Sequence, residues 1–263
     1  MKLIASGATA DVFLNNENRI IKLFKNQYSE KIVQKEANSQ KIIYETGLPV
    51  PKIFGIKKID GRYGIIMENI KGMSIGEKIL KTNNYTDKLN IEEDVIKNWD
   101  TIMHYLSLTI DIQIKINAIK VQDYPLMKDR LVNRINLVRY ITEKQKIILL
   151  KKLESIEFNN YLCHGDLHPF NIIETDEGIK VIDWADSTIG NREADVCRSY
   201  IIYEKNMPKI SDKYLELYCK KASIDKENVL MYKPIIIAAR LAENIPEKEK
   251  SELINDLQGY IKR

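Results

Sequence analysis

The stretch "CHGDLHPFN", Cys163 to Asn171, holds two of the chain's three histidines together with an aspartate and an asparagine, and it interrupts a long run of helical sequence. Three readings compete for it. His164, Asp166 and His168 alternate, so on a strand they would project from one face, and both residue types are competent zinc ligands. Asp166 and Asn171 could instead be a base and a ligand set on a loop. The blandest reading is a polar turn capping a helix.

The residues downstream decide between them. Ile172–Glu174 and Ile179–Ile182 are short β-type runs around the turn "TDEG", Thr175 to Gly178. An antiparallel hairpin brings its two open ends together, and here those ends carry Asn171 and Asp183. An amide oxygen beside a carboxylate is a poor zinc site but suits a hard cation such as Mg²⁺. Asp166 then stands just upstream as a separate carboxylate.

"HGDLHPFN" followed by "VIDW" (Val181–Trp184) resembles the catalytic and metal-binding segments of the aminoglycoside phosphotransferase / choline kinase-like family. The spacing from Asp166 to Asn171 also matches the protein-kinase catalytic loop, with Asp183 where that fold's metal-binding aspartate would be. The resemblance runs from Ser6 to about Tyr203. It implies an α+β, bilobal protein-kinase-like fold, with a small β-rich N-lobe carrying one helix and a larger, mainly helical C-lobe. The change of character falls near Glu68–Gly72, so the expected division is 1–70 for nucleotide binding and 71–263 for catalysis and acceptor binding. A cleft between lobes is a common place for a ligand.

The N-terminal part meets the demands of that resemblance in its own terms. Lys2–Ala5, Val12–Leu14, Arg19–Phe24, Lys52–Lys58 and Arg62–Glu68 read as strands, with Asp60–Gly61 as a hairpin turn. A helix is expected over Ser29–Thr46, with Ser29 as N-cap and Gly47 as its stop. Ile32, Val33, Glu36, Ala37, Gln40, Ile43 and Tyr44 share one face of it. Glu36 sits on that apolar face, where an unpartnered carboxylate would cost several kcal/mol (~3–5). Lys22, the only lysine of its strand, is the simplest partner; Glu30 in the first turn can serve the helix dipole instead. The family pattern implies the same pair, with Lys22 on phosphate oxygens.

"SGATADV" lies where the family's phosphate loop falls. It has one glycine and fails the GxGxxG pattern, yet Ser6, Gly7, Ala8 and Thr9 are small enough for backbone N–H groups to approach a phosphate. "IIMENIKG" (Ile65–Gly72) corresponds to the hinge. The resemblance places Met67 beside an adenine and the backbone of Glu68 and Ile70 on it, although Met67 also reads as an ordinary core residue.

After Gly72, helices are expected over Ser74–Lys81, Ile91–Ile119, Leu126–Tyr140, Thr142–Ile156, Asn191–Tyr203, Ser211–Ala222, Tyr232–Asn244 and Pro246–Ile261. His104, mid-helix, reads as a packing residue. In "GNREADVCRSY" (Gly190–Tyr200), Asp195 either braces the catalytic loop, as the family does, or is an ordinary first-turn carboxylate. Asp186 and Glu193 could form an acidic rim suited to a cationic amine or aminoglycoside; a solvated surface accounts for them equally well. His164 and His168 read as supports of the loop rather than metal ligands.

The implied activity is Mg²⁺-dependent transfer of the γ-phosphate of ATP or GTP to a small-molecule hydroxyl, with Asp166 as base. The alternatives are a nucleotide-binding kinase-like module with little turnover, a protein kinase, and a zinc hydrolase on His164, Asp166 and His168. No activation-loop or "APE"-like segment follows Asp183, which disfavours the protein kinase. With 263 residues, 44% of them hydrophobic, the chain can build two modest lobes. A net charge of +4 spread along the sequence carries no clustered nucleic-acid footprint. Three cysteines without a CxxC argue for a reducing compartment. The apolar run Leu3–Ala5 falls short of a signal-peptide core of roughly 7–15 residues, and no run approaches the ~20 residues of a membrane span. A cytoplasmic protein with no membrane or nucleic-acid partner is therefore expected.

Overall fold

The computed structural model describes residues 1–7, 9–16, 18–82 and 98–261. The expected helical residues 91–97 and the loop residue Ala8 lie outside that set. The chain divides into two compact units: Met1–Ile79 with Pro169–Ala185, and Leu80–His168 with Asp186–Arg263. The boundary expected at 70/71 falls inside the first unit. The hairpin after "CHGDLHPFN" also groups with that unit, because its first strand pairs with Met73–Ser74.

In the first unit, β1 (Lys2–Ser6), β2 (Ala10–Asn16), β3 (Arg19–Phe24), β4 (Ile53–Ile59) and β5 (Arg62–Glu68) form an antiparallel sheet in the order β1-β2-β3-β5-β4. Helix α1 (Glu30–Glu45) covers one face. Phe24, Val33, Ala37, Ile53, Ile65 and Met67 form the core between them, sealed by burial of mostly apolar side chains. Ser29 occupies the extended N-cap position of α1 but makes no side-chain capping bond, and Gly47, at φ +82°, ends the helix in the left-handed region. Asp60 and Gly61 both have positive φ, as a tight hairpin turn between right-twisted strands requires.

The apolar stripe of α1 is narrower than its sequence suggests. Val33, Ala37, Gln40 and Ile43 are buried, whereas Ile32 and Tyr44 stay exposed at the stripe's margins. A second small sheet, β6-β8-β9, joins β6 (Met73–Ser74) to the hairpin β8 (Ile172–Thr175) and β9 (Gly178–Val181). The Val181 amide donates to the Pro49 carbonyl at 2.7 Å, tying the hairpin into this unit. Helix α2 (Ile75–Thr82) starts in the first unit and runs into the second.

The second unit is helical: α3 (Trp99–Asn117), α4 (Met127–Leu137), α5 (Glu143–Glu154), α6 (Arg192–Asn206), α7 (Pro208–Ala222), α8 (Lys226–Leu230), α9 (Lys233–Leu241) and α10 (Glu247–Ile261). Thr142 and Gln145 form a reciprocal capping box at the start of α5. Helix α6 is buried over most of its length, which makes it the axis of this unit. A two-stranded ladder, β7 (Tyr161–Cys163) with β10 (Thr188–Gly190), was not expected; it delivers the chain into His164. The three cysteines are buried and free. His104 is exposed rather than packed, its ring edge-on to Tyr105 at 5.3 Å between centroids. Among the described residues no helix is long and apolar enough to cross a membrane.

Candidate active site

In the first unit, β3 pairs with β5 so that Lys22 lies opposite Ile65, and α1 lays Glu36 over the same face. Lys22 Nζ donates to Glu36 Oε1 at 2.9 Å; Glu30 plays no part in this pair. Asp183 Oδ1 stands 3.7 Å from the same ammonium. Burial by itself would lower the lysine's pKa, but Glu36 and then Asp183 outweigh it and hold Lys22 above its ordinary value. The ammonium is therefore charged at neutral pH and flanked by two carboxylates, one half-exposed.

The hairpin register explains how Asp183 arrives there. Ile172 faces Val181, and the Ile182 amide donates to the Asn171 carbonyl at 2.9 Å, so Asn171 and Asp183 emerge together at the open end. Asp183 has φ +63°, a conformation aspartate tolerates better than most residues. The next residue is fixed: Trp184 is buried and its Nε1 donates to the Val181 carbonyl at 3.0 Å. An amide oxygen and an exposed carboxylate fit Mg²⁺, which takes few protein oxygens and leaves its remaining positions to water and phosphate.

The residues that the sequence suggested for a hinge and a phosphate loop are held by several hydrogen bonds. The Glu68 amide donates to the Lys52 carbonyl at 2.9 Å and its carboxylate accepts from the Lys52 amide at 3.0 Å. Of the Glu68 backbone, only the carbonyl oxygen could address a base. Ile70 is half-buried, and Met67 belongs to the core. In the loop, the Gly7 amide donates to the Ala10 carbonyl at 2.9 Å, and the Ser6 hydroxyl to Asp11 Oδ1 at 2.7 Å. Gly7 thus spends its N–H inside the turn instead of offering it to a phosphate. The Thr9 carbonyl accepts from the Lys25 amide at 3.0 Å, which pins the loop to the end of β3.

In the second unit, the segment around Asp166 is held from several sides. Gly165 has φ +82°, and a Cβ there would collide with the Asp186 carbonyl oxygen. Its amide donates to Asp195 Oδ1 at 2.7 Å, so Asp195 braces the loop and is no ordinary first-turn carboxylate. The other Asp195 oxygen accepts from Gln113 at 3.2 Å and Asn117 at 3.1 Å. Tyr214 and Tyr218 in turn donate to Gln113 and Asn117. The Ser199 hydroxyl donates to the Leu167 carbonyl at 2.9 Å. Gln113 and Asn117 were missed in the sequence, although polar residues at i, i+4 between the isoleucines of α3 are a readable signal. Replacing Gly165 with alanine is expected to lower the stability of the protein by about 1–3 kcal/mol through the left-handed backbone alone, with the clash adding to it; a falling urea midpoint at constant slope would register this.

Asp166 itself accepts from Arg198 Nη2 at 2.9 Å and lies 3.6 Å from His168 Nε2. Burial raises its pKa, but His168, Arg198 and His164 together reverse that and hold the carboxyl well below the usual carboxylate range. His164 is fully buried, and its Nδ1 accepts from the Asp166 amide at 3.3 Å. Both histidines thus support the aspartate. Among the described residues no group of three or more His, Cys, Asp or Glu is placed to hold a metal ion.

Arg198 was not singled out in the sequence. It is 8% exposed and also donates to Glu243 at 3.1 Å. Glu243 is further gripped by Arg240 and lies 3.7 Å from Arg134. Asp186 is paired with Arg130 and lies 3.6 Å from Arg134, while Glu193 is paired with Arg192 at 3.2 Å. Asp186 and Glu193 therefore do not form an uncompensated acidic rim: each carboxylate already has a cation of its own.

Residues 126–230 match the model of the phosphotransferase enzyme family APH, a span that includes Asp166, Asn171 and Asp183. The whole chain has the protein-kinase-like fold of solved phosphotransferases. It overlays a thermostable mutant of the aminoglycoside phosphotransferase APH(4)-Ia with a TM-score of 0.65 at 10% identity, covering 99% of this chain and 93% of the other. Amicoumacin kinase hAmiN, solved with AMP-PNP, Ca²⁺ and Ami, gives 0.65 at 14% identity, covering 98% and 88%. Choline kinase LicA from Streptococcus pneumoniae gives 0.64 at 15% identity, covering 100% and 92%. A curated relative, the EKC/KEOPS complex subunit BUD32 of Enterocytozoon bieneusi, is 24% identical, covering 87% of this chain and 93% of that protein. The chain is thus similar to the aminoglycoside phosphotransferase / choline kinase-like family, in the segment that carries its chemistry and in fold.

Proposed function

We propose that this protein is a small-molecule kinase, transferring the γ-phosphate of ATP or GTP to a hydroxyl group. The observation that carries the reading is the Lys22–Glu36 pair with Asp183 3.7 Å from the same ammonium. This pairs a charged phosphate ligand with an exposed carboxylate beside Asn171. Lys22, fixed by Glu36, binds phosphate oxygens, while the Glu68 carbonyl and Ile70 hold the base. Ser6, Gly7 and Thr9 are small enough to let the loop approach the phosphates, without the Gly7 amide. Asn171 and Asp183 hold Mg²⁺, which when bound supplies charge neutralisation on the phosphates. Asp166 orients the acceptor hydroxyl and takes its proton as the oxygen attacks phosphorus. Such catalysis is mostly positioning and electrostatics.

The test is nucleotide consumption with ATP and GTP against a panel of aminoglycosides, amino alcohols and sugars, with Asp166→Ala as control. Acceptor-dependent ADP or GDP release that the control lacks supports the reading. Nucleotide binding without transfer to any acceptor would replace it with a binding module.

Arg198 predicts the pH dependence. Because Asp166 is held below the usual carboxylate range, it stays ionised until the pH falls through that lowered value. The acid limb of kcat should therefore lie below pH ~4, the ordinary aspartate value. Arg198→Gln removes one of the groups that lower it, so the limb should move to higher pH. A pH–rate profile that is the same in both proteins would contradict the assignment of Asp166 as base.

A further inference from the structure

A cavity of about 60 Å³ in the second unit is bordered by Gly165 and Arg198, the neighbours of Asp166 in chain and in contact. Met127, Leu131, Ile236 and Ala239 give it an apolar floor. Its charged lining is balanced: Arg130, Arg134 and Arg198 against Asp186, Asp195 and Glu243. Burial and the neighbouring Arg134 push Arg130 down to about 10, so even this guanidinium remains charged at neutral pH.

The pairing within this lining excludes more than it admits. An entering ammonium would find the charge of Asp186 and Glu243 already neutralised, since each carboxylate stands beside two or more guanidiniums. An entering anion would meet those same carboxylates. Asp195 already accepts from Gly165, Gln113 and Asn117. Hydroxyl groups suffer neither cost, because each can donate and accept.

Arg134 is the lining group best able to read them. Its guanidinium carries five N–H donors. Its carboxylate neighbours stand 3.6 and 3.7 Å away, beyond hydrogen-bond reach, and it forms no hydrogen bond among the described residues. It is thus held in place by charge with its donors unspent. Ring C–H surface would lie against the apolar floor, and hydroxyls against Arg134, Asp186 and Glu243.

We infer that this cavity receives an uncharged, polyhydroxylated end of the acceptor, a sugar or polyol, and that Arg134 is its specificity-determining residue. This rests on the phosphotransferase reading and narrows its acceptor. In the reaction, an acceptor C–O–H loses its proton to Asp166, the oxygen forms a bond to the γ-phosphorus, and the bridging bond to the β-phosphate breaks, releasing the nucleoside diphosphate.

The experiment measures phosphorylation of three acceptor sets by the full chain: uncharged sugars and polyols, aminoglycosides and amino alcohols, and sugar acids or sugar phosphates. Binding of each set is followed in parallel by ligand-observed NMR. Transfer to an uncharged sugar or polyol is expected. In Arg134→Met, which keeps the aliphatic stem, the KM for that acceptor should rise about tenfold, the scale of one or two lost hydrogen bonds, with kcat changed much less. Arg134→Lys should recover part of the loss, which separates donor loss from misfolding. Transfer confined to amines or to anionic acceptors, or an unchanged acceptor KM in Arg134→Met, would overturn the inference while leaving phosphoryl transfer in place. Absence of transfer to all three sets, with nucleotide bound, would overturn the phosphotransferase reading. In that case, binding of an uncharged sugar that Arg134→Met abolishes still supports the cavity assignment, and no sugar binding refutes it.

Discussion

Replacing Asp166 with alanine should lower kcat at least ~10²-fold, and up to ~10⁴-fold, the range for a positioned general base. The loss should appear in kcat far more than in the KM for nucleotide, because Lys22 and the hairpin end, proposed above to hold the nucleotide, belong to other segments of the chain. The fold should survive the change. The loop's anchors are the Gly165 amide on Asp195 and the Leu167 carbonyl on Ser199, and neither uses the Asp166 side chain. Arg198 keeps Glu243 as a partner, so its buried charge is not stranded. Asp166→Asn is the stricter comparison, since it preserves shape and removes only the charge and basicity. Acceptor-dependent nucleoside diphosphate release, read beside circular dichroism, measures both effects. A folded Asp166→Ala protein with wild-type turnover would remove this residue from the chemistry.

What could be read beforehand followed from local necessity. A carboxylate on the apolar face of α1 needs a cation, and Lys22 is the only lysine of β3, so the pair they form at 2.9 Å was legible in the sequence. The hairpin after Asn171 was legible because turn residues separate two β-type runs, and pairing then dictates which residues meet at its open end. The protein-kinase-like fold was implied by the family resemblance that the same segment carries. The stripe on α1 was overread. Helical spacing marks Ile32 and Tyr44 as members of the apolar face, but a helix lying on a sheet buries only the residues nearest the contact line, and these two sit at its margins.

The guanidinium network was not legible at all. Arg130 and Arg134 are ordinary polar positions on an amphipathic helix, and Arg198 sits 32 residues beyond Asp166 in sequence. No periodicity links α4, α6 and Glu243; only tertiary packing does. For the same reason the sequence left Asp186 and Glu193 open between an acidic rim and a solvated surface, and neither reading included the arginine that pairs with each. The ladder between β7 and β10 escaped because three-residue strands leave no alternation to detect.

Substitution at Asp183 separates what this residue does for folding from what it does for nucleotide chemistry. Its backbone lies at φ +63°, between β9 and the buried Trp184, so the conformation is imposed from both sides. Alanine there would bear the left-handed penalty, roughly 1–2 kcal/mol, without the local hydrogen bonding that lets aspartate tolerate it. Glycine bears almost none. The urea midpoint should therefore fall in Asp183→Ala and hold or rise in Asp183→Gly. Activity should not follow that order. Both variants lose the carboxylate that lies beside Lys22 and Asn171, and both should lose at least ~10²–10³-fold in Mg²⁺-dependent turnover, the scale of removing one preorganised electrostatic group. Loss of this neighbour also removes one of the two carboxylates that hold Lys22 above its ordinary pKa, while Glu36 keeps it charged. Residual nucleotide binding through Lys22 is thus expected, without productive transfer. An Asp183→Gly protein that is stable and retains wild-type, metal-dependent turnover would show that this carboxylate serves the backbone turn and nothing more.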